Sequence, residues 1–291
     1  MTKILVMPAH KKDIKEILSF ADAILLGIEN FSVNFTEISL DELRIVVEDV
    51  KSEGKEIFLS LNRNFHNGDL KKLEEILVEC NKLKVDGIFY YDVAVYQIHH
   101  RLMLDLPLVW SAEHLATNQY TIRYWQEHGI NGVFLSNEIT KEEILEIKKE
   151  TNVKCFVQVF GYLPMYVSKR HAIHNYLKHF RIDTTSRTFS IWKEEKEYPI
   201  LERKNGTEIY SSFILNALYE YLEYKNNKME YTFISGFRIP LEQLKQVLSY
   251  FQMVDDDNKE EINKKIEELI ENTGKGFLYK ETVYQVKKNE K

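Results

Sequence analysis

The chain has 291 residues, 44% of them hydrophobic and 29% charged, with a formal net charge of −6, which fits one globular domain with a single large core. Because no apolar run approaches the roughly 20 residues of a membrane span and no signal-peptide core follows the first residues, we expect a cytoplasmic protein without membrane contact. The two cysteines, Cys80 and Cys155, exclude a disulfide scaffold and fit a reducing compartment.

Short apolar runs alternate with amphipathic runs over the first 160 residues or so. Seven β-then-α units in sequence predict parallel strands joined by right-handed crossovers. The predicted strands are 4–7, 23–28, 56–61, 87–91, 106–110, 132–135 and 154–160. The predicted helices that follow the first six strands are 11–20, 41–52, 69–82, 95–104, 119–128 and 141–150.

An eighth strand over 231–237, followed by a helix over 241–251, completes the pattern if 161–228 is an insertion between strands 7 and 8. We therefore predict a TIM-like (β/α) barrel over residues 1–254. An open doubly wound sheet is the rival, but no early strand is followed by the glycine-rich fingerprint of a nucleotide-binding version. Within the insertion, we predict turns at Tyr198 with Pro199 and at Asn205 with Gly206, and a helix over 212–224.

The end of the chain, residues 255–291, is predicted to pack on the barrel as an acidic helix and a C-terminal strand or hairpin over 276–286. Residues 255–273 hold eight acids against three lysines, a net charge of −5 that leaves −1 for the rest. Because the acid is confined to one predicted helix, a nucleic-acid partner for the remainder is not excluded.

Polar side chains follow several predicted strands, at the end of a parallel barrel where active sites form. Glu29, Glu113 and Glu138 each come one to three residues after a strand, and Glu113 and Glu138 are our candidate catalytic acid and base. The alternative is that these carboxylates cap helices or lie in a first helical turn. Asn62, Asn118 and Gln158 are predicted to bind substrate at the same face.

The seventh apolar run breaks at Gly161 and Pro164 and opens into a basic segment. No acid occurs there before Asp183, and its basic residues are Lys169, Arg170, Lys178, Arg181 and the histidines His171, His174 and His179. We predict that Ser168, Lys169, Arg170 and His171 bind an anionic ligand. The alternative is a solvated basic loop.

Two other interpretations of this segment are weaker. The three histidines lack a carboxylate or cysteine that would complete a metal site, which favours basic or stacking roles for them. Ser168 with His171 lacks a third orienting group for nucleophilic catalysis. Neighbouring tyrosines at 162, 166 and 176 suit stacking on a ring, although such aromatics also build cores.

Several segments in order resemble the collagenase-like peptidase family of unknown catalytic type, family U32, from Lys3 to about Ile239. The similarity is carried by ADAILLGIENFS, IFLSLNRNFHNGDL, VDGIFYYD, LPLVWSAEHLATNQYTIRYWQEHGINGVFLSNEIT, VQVFGYLPMYVSKR and YPILERKNGTEIYSS. The shorter branch of the family, with VFGYLP and SKR, is the most similar. The family's signature has cysteines where this chain has Pro164 and His171, and more where residues 172–191 have none.

The resemblance implies a β/α barrel and a role in hydroxylation, including prephenate-dependent formation of 5-hydroxyuridine at the tRNA wobble position. In related members the cysteines hold an iron–sulfur cluster. For this chain the resemblance therefore implies no cluster, and a partner role beside a longer, cysteine-bearing U32 paralogue. The expected ligand is tRNA or a small anionic, ring-bearing molecule. There are two alternatives. One is a collagenase-like endopeptidase, which is a hydrolase, and the other is a non-catalytic binding subunit.

Overall fold

A computed structural model describes residues 1–186 and 188–280. The strands are β1 Lys3–Met7, β2 Ala23–Ile28, β3 Glu37–Ile38, β4 Glu56–Leu61, β5 Gly87–Tyr90, β6 Leu108–Trp110, β7 Gly132–Phe134, β8 Lys154–Ser168, β9 Phe189–Lys193, β10 Lys196–Arg203, β11 Gly206–Asn216, β12 Tyr231–Ser235 and β13 Thr273–Gly274. The α-helices are α1 Ile14–Ile17, α2 Leu40–Ser52, α3 Leu70–Lys82, α4 Val93–Leu102, α5 Gln119–Glu127, α6 Lys141–Glu150, α7 Ala172–Phe180, α8 Leu218–Asn226, α9 Leu241–Met253 and α10 Lys259–Leu269.

Eight parallel strands close into a barrel, which confirms the predicted fold class. Their order is β12, β1, β2, β4, β5, β6, β7 and β8, and β12 pairs with both β1 and β8. Because all eight run the same way, their carboxyl ends meet at one mouth. None of the described helices combines the length and the apolarity needed to cross a membrane.

Two apolar cores hold the barrel together. The larger lies between the sheet and the surrounding helices, whose buried positions recur with helical spacing, as at Leu43, Val47 and Val50 of α2. The smaller fills the barrel interior with large side chains, among them Phe58, Phe89, Phe156, Tyr231 and Phe233. Phe156 and Tyr231 stack with ring centroids 4.3 Å apart. The packed interior places any ligand at the mouth.

The insertion after the seventh barrel strand is largely β-structure, and it corrects three sequence predictions. Strand β8 does not end at residue 160, but continues past Gly161 to Ser168 and pairs with β11 in antiparallel fashion. Gly161 adopts φ +109, a conformation open to glycine, and a Cβ atom there would lie 2.5 Å from the Ser235 carbonyl oxygen. The glycine thus lets the strand bend away from the barrel instead of ending it.

Strands β11, β10 and β9 extend the sheet outward from the end of β8. We call these three strands, together with residues 161–168 of β8, the ribbon. Residues 212–216, predicted as helical, belong to β11, because their partners on β8 lie some 50 residues earlier in the chain. The turn predicted at Tyr198 with Pro199 is also wrong, since Pro199 lies in β10 opposite Ser190. The turn before Gly206 is confirmed as the hairpin between β10 and β11.

The C-terminal region packs on the barrel through α10 and β13. The acidic helix is confirmed over Lys259–Leu269, and β13 pairs with β11. Of the strand predicted over 276–286, residues 276–280 form turns instead, in which Leu278 N–H donates to the Lys275 carbonyl. Gly276, at φ +55, supports this turn. Residues 281–286 lie outside the described part of the chain.

Candidate functional site

Two adjoining cavities open at the mouth of the barrel. The inner cavity measures about 50 Å³ and the outer one about 440 Å³. Four residues line both: Asn62 after β4, and Ser111, Glu113 and His114 after β6. Since all four follow barrel strands, the two spaces form one site with a deep part and a shallow part.

The inner cavity has an apolar floor and a polar wall. Its floor is made by aromatic rings at the top of the barrel interior, including Phe134 and Phe233, whose centroids lie 5.5 Å apart in an edge-to-face arrangement. Its polar lining consists of Asn34, Asn62, Ser111, Glu113, His114, Ser136, Asn137, Glu138, Gln158, Tyr162, Tyr210 and Ser235. Among these described residues two are carboxylates and none is lysine or arginine, so the inner cavity is acidic.

Glu113 is bound into this wall by a hydrogen bond from Asn34. The Asn34 Nδ2 donates to Glu113 Oε1 over 2.7 Å, while the Asn34 N–H donates to Glu208 Oε1 over 3.0 Å. Burial raises the pKa of Glu113, with Glu208 and Glu138 adding to the rise and His114 and Asn34 opposing it. Glu113 can therefore hold a proton at a higher pH than an ordinary glutamate.

Both partners of that hydrogen bond have left-handed backbones, with φ +63 at Asn34 and φ +38 at Glu113. Asparagine adopts this conformation readily, but for glutamate it costs on the order of 1 kcal/mol or more. Backbone strain of this kind is found mostly at functional sites, where the surrounding structure holds the strained residue in place. The geometry thus singles out Glu113 among the acids that follow barrel strands.

Behind Glu113, the ribbon supplies a second carboxylate and a buried guanidinium. Glu208 on β11 accepts a hydrogen bond of 2.8 Å from the Tyr210 hydroxyl. Arg203 on β10 lies between Glu208 (Nε to Oε2 3.8 Å) and Glu37 (Nη1 to Oε2 3.4 Å) and also donates to the Phe35 carbonyl. Burial raises the pKa of Glu37 to about 7, against the opposing charge of Arg203. This network fixes the ribbon to the barrel mouth.

The predicted acid Glu138 and the predicted amides Asn62 and Gln158 also line the inner cavity. His114 Nδ1 lies 3.0 Å from Glu138 Oε1. Asn62 Oδ1 accepts from the Val33 N–H over 3.0 Å, and Gln158 Oε1 accepts from Asn137 Nδ2 over 3.1 Å. These amides are oriented by neighbours, as binding groups need to be.

The outer cavity brings cations to the mouth. Lys169 lines it, with its Nζ 3.3 Å from the Asn64 carbonyl and 2.8 Å from His66 Nε2. Arg63 lines it too, with its guanidinium 5.2 Å from the Phe31 ring centroid and in an ion pair of 3.1 Å with Asp69. The site is therefore acidic in its depth and basic at its rim.

The remaining predicted residues lie outside both cavities. Asn118 is exposed and caps α5 through its Oδ1, which accepts from the Thr121 N–H. Ser168 Oγ accepts from the Arg170 N–H, Arg170 is exposed, and His171 Nδ1 lies 3.8 Å from Glu202. The exposed Glu29 lines neither cavity. Of the four residues predicted to bind an anion, only Lys169 reaches the mouth.

Sequence reasoning missed several residues of the site, among them Asn34, Arg203, Glu208 and Tyr210. Asn34 hydrogen-bonds to Glu208 across 174 positions, a contact that no local pattern reveals. A usable signal did exist in the segment that follows Asn205, because Glu208 is the one charged residue between Lys204 and Glu220. A single carboxylate within a strand that is otherwise uncharged is typical of a functional site.

The side chains present do not fit an iron–sulfur cluster. The whole sequence has two cysteines, and both are buried, Cys80 in α3 and Cys155 in β8. Burial raises the pKa of both thiols to about 12, whereas cluster ligands are thiolates. Within the described part of the chain, no group of three or more His, Cys, Asp or Glu residues is placed to hold a metal ion.

Comparison with known proteins places these features in a family. Residues 12–288 match the model of peptidase family U32. The chain is 30% identical over 305 residues to tRNA hydroxylation protein P2 of Bacillus subtilis (strain 168), an alignment that covers 97% of this chain and 99% of that protein.

Two further similarities are more limited. With tRNA hydroxylation protein P1 of the same organism, identity is 24% over 159 residues, or 54% of this chain and 38% of that protein. The chain thus spans less than half the length of this longer relative. A solved structure, that of the U32 peptidase Mk0906, shares the fold with a TM-score of 0.52 at 13% identity, covering 82% of this chain and 94% of that one.

Proposed function

Because this chain belongs to peptidase family U32, we propose that it is the cluster-less partner subunit in prephenate-dependent 5-hydroxylation of the tRNA wobble uridine. One observation carries the proposal: the similarity to tRNA hydroxylation protein P2 extends over 97% of this chain and 99% of that protein. The redox chemistry then belongs to a longer, cysteine-bearing U32 paralogue. The longer tRNA hydroxylation protein P1 fits such a partner by its name and length. Both subunits work in the cytoplasm on tRNA.

The charge pattern of the mouth supports a nucleotide as the ligand. The edge of a neutral ring suits the inner cavity of about 50 Å³, because its walls offer amides, carboxyls and aromatic faces, whereas an anion would meet Glu138 there. A phosphate or carboxylate suits the outer cavity beside Arg63 and Lys169. A nucleotide has both parts, with its base directed inward and its phosphate at the rim.

In this proposal, the residues of the mouth bind and orient the base. Glu113 meets the ring edge, and burial raises its pKa and so favours the protonated carboxyl, the form that donates a hydrogen bond to a ring carbonyl. Asn62 and Gln158 hydrogen-bond to the ring edge, and Glu138 with His114 lines the same cavity. Lys169 pairs with the phosphate. These are positioning roles, and the chain supplies no electron of its own.

The test is mass spectrometry of tRNA nucleosides from a strain that lacks this gene. We expect 5-hydroxyuridine and its derivatives to disappear and to return when the gene is restored. Restoration with Glu113→Ala should leave the hydroxylated nucleosides about five-fold lower, since alanine, unlike glutamine, cannot make the hydrogen bond, which contributes about 1 kcal/mol.

The matched control is Glu29→Ala, because Glu29 also follows a barrel strand but lines neither cavity. This variant should restore the nucleosides in full. Unchanged hydroxylated nucleosides in the deletion strain would defeat the proposal.

The endopeptidase alternative has less support in the site. Ser136 Oγ accepts a hydrogen bond from the Glu138 N–H, and no serine or cysteine of the described residues hydrogen-bonds to a histidine. An activated nucleophile needs such a base beside it. Cleavage of gelatin by the purified chain, lost in Glu113→Ala, would reverse this ranking.

A further inference from the structure

Helix α7 is an amphipathic helix that stands on the surface beside the site. None of its nine residues is buried. Its apolar side chains recur at helical spacing, and two of them are largely exposed: Tyr176 by 58% and Phe180 by 57%. Their rings lie 4.7 Å apart, and Phe180 also contacts the ring of His179 at 4.7 Å. Three adjacent rings are thus offered to solvent.

A second stripe of the helix is basic. His171, His174, Lys178 and Arg181 recur at intervals of three, four and three residues, which is also helical spacing. No acid occurs between Lys169 and Ile182. We call the exposed rings and these basic side chains together the α7 surface.

The α7 surface is held in place at the rim of the mouth. The Ile173 N–H donates to Glu202 of β10 over 2.8 Å, and the Ala172 N–H donates to Thr207 of β11 over 2.9 Å. Lys169, three residues before the helix, lines the outer cavity. The helix therefore begins three residues from a side chain of the outer cavity, and its nine residues span about 13 Å at ~1.5 Å per residue.

We propose that the α7 surface binds single-stranded RNA next to the nucleotide held in the mouth. This inference rests on the proposed function, and its RNA is the anticodon loop around the wobble uridine. Bases stack on Tyr176 and Phe180, while Lys178 and Arg181 pair with phosphates. Exposed aromatic rings among cations are the usual means by which proteins bind single strands.

The observations favour RNA over a protein partner for this surface. A protein interface of standard size covers ~800 Å² on each side, and its core is depleted in lysine. The α7 surface instead has two largely exposed apolar rings bordered by an unbroken basic stretch. Such charge is complementary to a phosphate backbone.

The experiment is fluorescence anisotropy of the full-length protein with a labelled anticodon stem–loop whose wobble base is uridine. Tyr176→Ala should weaken binding about ten-fold, because one stacked base is lost. Lys178→Glu should weaken binding and lower the slope of log affinity against log salt by about 0.7, the value for one single-strand phosphate. Thermal unfolding of each variant should match that of the native protein, since both side chains are exposed.

The chain offers a matched control for each variant. Tyr124 of α5 is 55% exposed and stacks on His128 one turn later, with centroids 4.2 Å apart, as Tyr176 does on Phe180. Lys149 is an exposed lysine in the last turn of α6, as Lys178 is in α7. Tyr124→Ala and Lys149→Glu should bind RNA like the native protein.

Two results would overturn the inference. One is native affinity and salt slope in both α7 variants. The other is loss of binding to the longer paralogue with RNA affinity unchanged, which would make the surface a protein-docking site. Either result leaves the hydroxylation proposal standing, because that proposal is judged by tRNA nucleosides in cells. Unchanged nucleosides there would remove the hydroxylation proposal without altering the measured RNA affinity.

Discussion

At the scale of single residues, the most informative group is Glu37, a carboxyl that shares Arg203 with Glu208 behind the mouth. Its pKa rises in the folded state from the ordinary 4.5 to about 7, chiefly because it is buried. The folded protein therefore binds this proton more tightly than the unfolded chain. The resulting stability is fully present below about pH 4.5 and is lost as the pH rises through about 7.

We expect Glu37→Gln to remove this loss. The shift corresponds to roughly 3 kcal/mol at 1.36 kcal/mol per pKa unit, an upper figure for the change in the free energy of unfolding across that window. Urea unfolding at several pH values between about 4.5 and 8 measures it. Glu53→Gln, at an exposed glutamate after α2, should keep the native pH dependence. The prediction would be contradicted if the free energy of unfolding changed equally with pH in the native protein and in Glu37→Gln.

At the scale of elements, local sequence pattern predicts the barrel well and the ribbon poorly. The first six barrel helices and strands follow hydrophobic periodicity, and Thr140 with Glu143 forms a capping box at the start of α6. The ribbon fails because its pairing is non-local. Gly161 was interpreted as the end of a strand, although a glycine also permits a strand to bend and continue when its new partner, β11, comes from later in the chain.

Gly161→Ala tests that account of the bend. A Cβ atom would lie 2.5 Å from the Ser235 carbonyl oxygen in β12, and alanine would be strained at φ +109. We expect a loss of at least about 2 kcal/mol in the free energy of unfolding, measured in urea. Gly129→Ala is the control, since its φ of +82 is similarly left-handed but no atom lies within 4 Å of the added carbon. It should cost only about 1 kcal/mol, and equal losses would show that close packing at Gly161 is unimportant.

At the scale of the whole molecule, the sequence predicts which elements lie next to each other, but not which side chains from distant elements form hydrogen bonds or ion pairs. The repeated β-then-α pattern requires that Asn62, Glu113, Glu138 and Gln158 approach one mouth, and the structure brings these four together. The sequence pattern could not indicate that Arg170 and His171 lie outside the two cavities, next to α7. The direction of a loop depends on non-local contacts, such as that of Glu202 with the Ile173 N–H. The side-chain contacts of the C-terminal segment could not be predicted from the sequence pattern either.

There, an ion pair between a buried carboxylate and a partly exposed lysine joins the C-terminal segment to the barrel. The side chain of Glu220 on α8 is fully buried and accepts from Lys275 Nζ over 2.9 Å and from the Tyr279 hydroxyl. Lys275→Met should leave this carboxylate without its cation and lower the free energy of unfolding by about 3 kcal/mol, since removing one partner of a buried pair costs more than the pair contributes. Adding Glu220→Gln to Lys275→Met should recover most of that loss in urea unfolding, because the uncompensated charge is then gone. If the double variant were as unstable as the sum of the two single variants, the pair would not act as one unit, and the segment would be held to the barrel by apolar contacts such as those of Leu278.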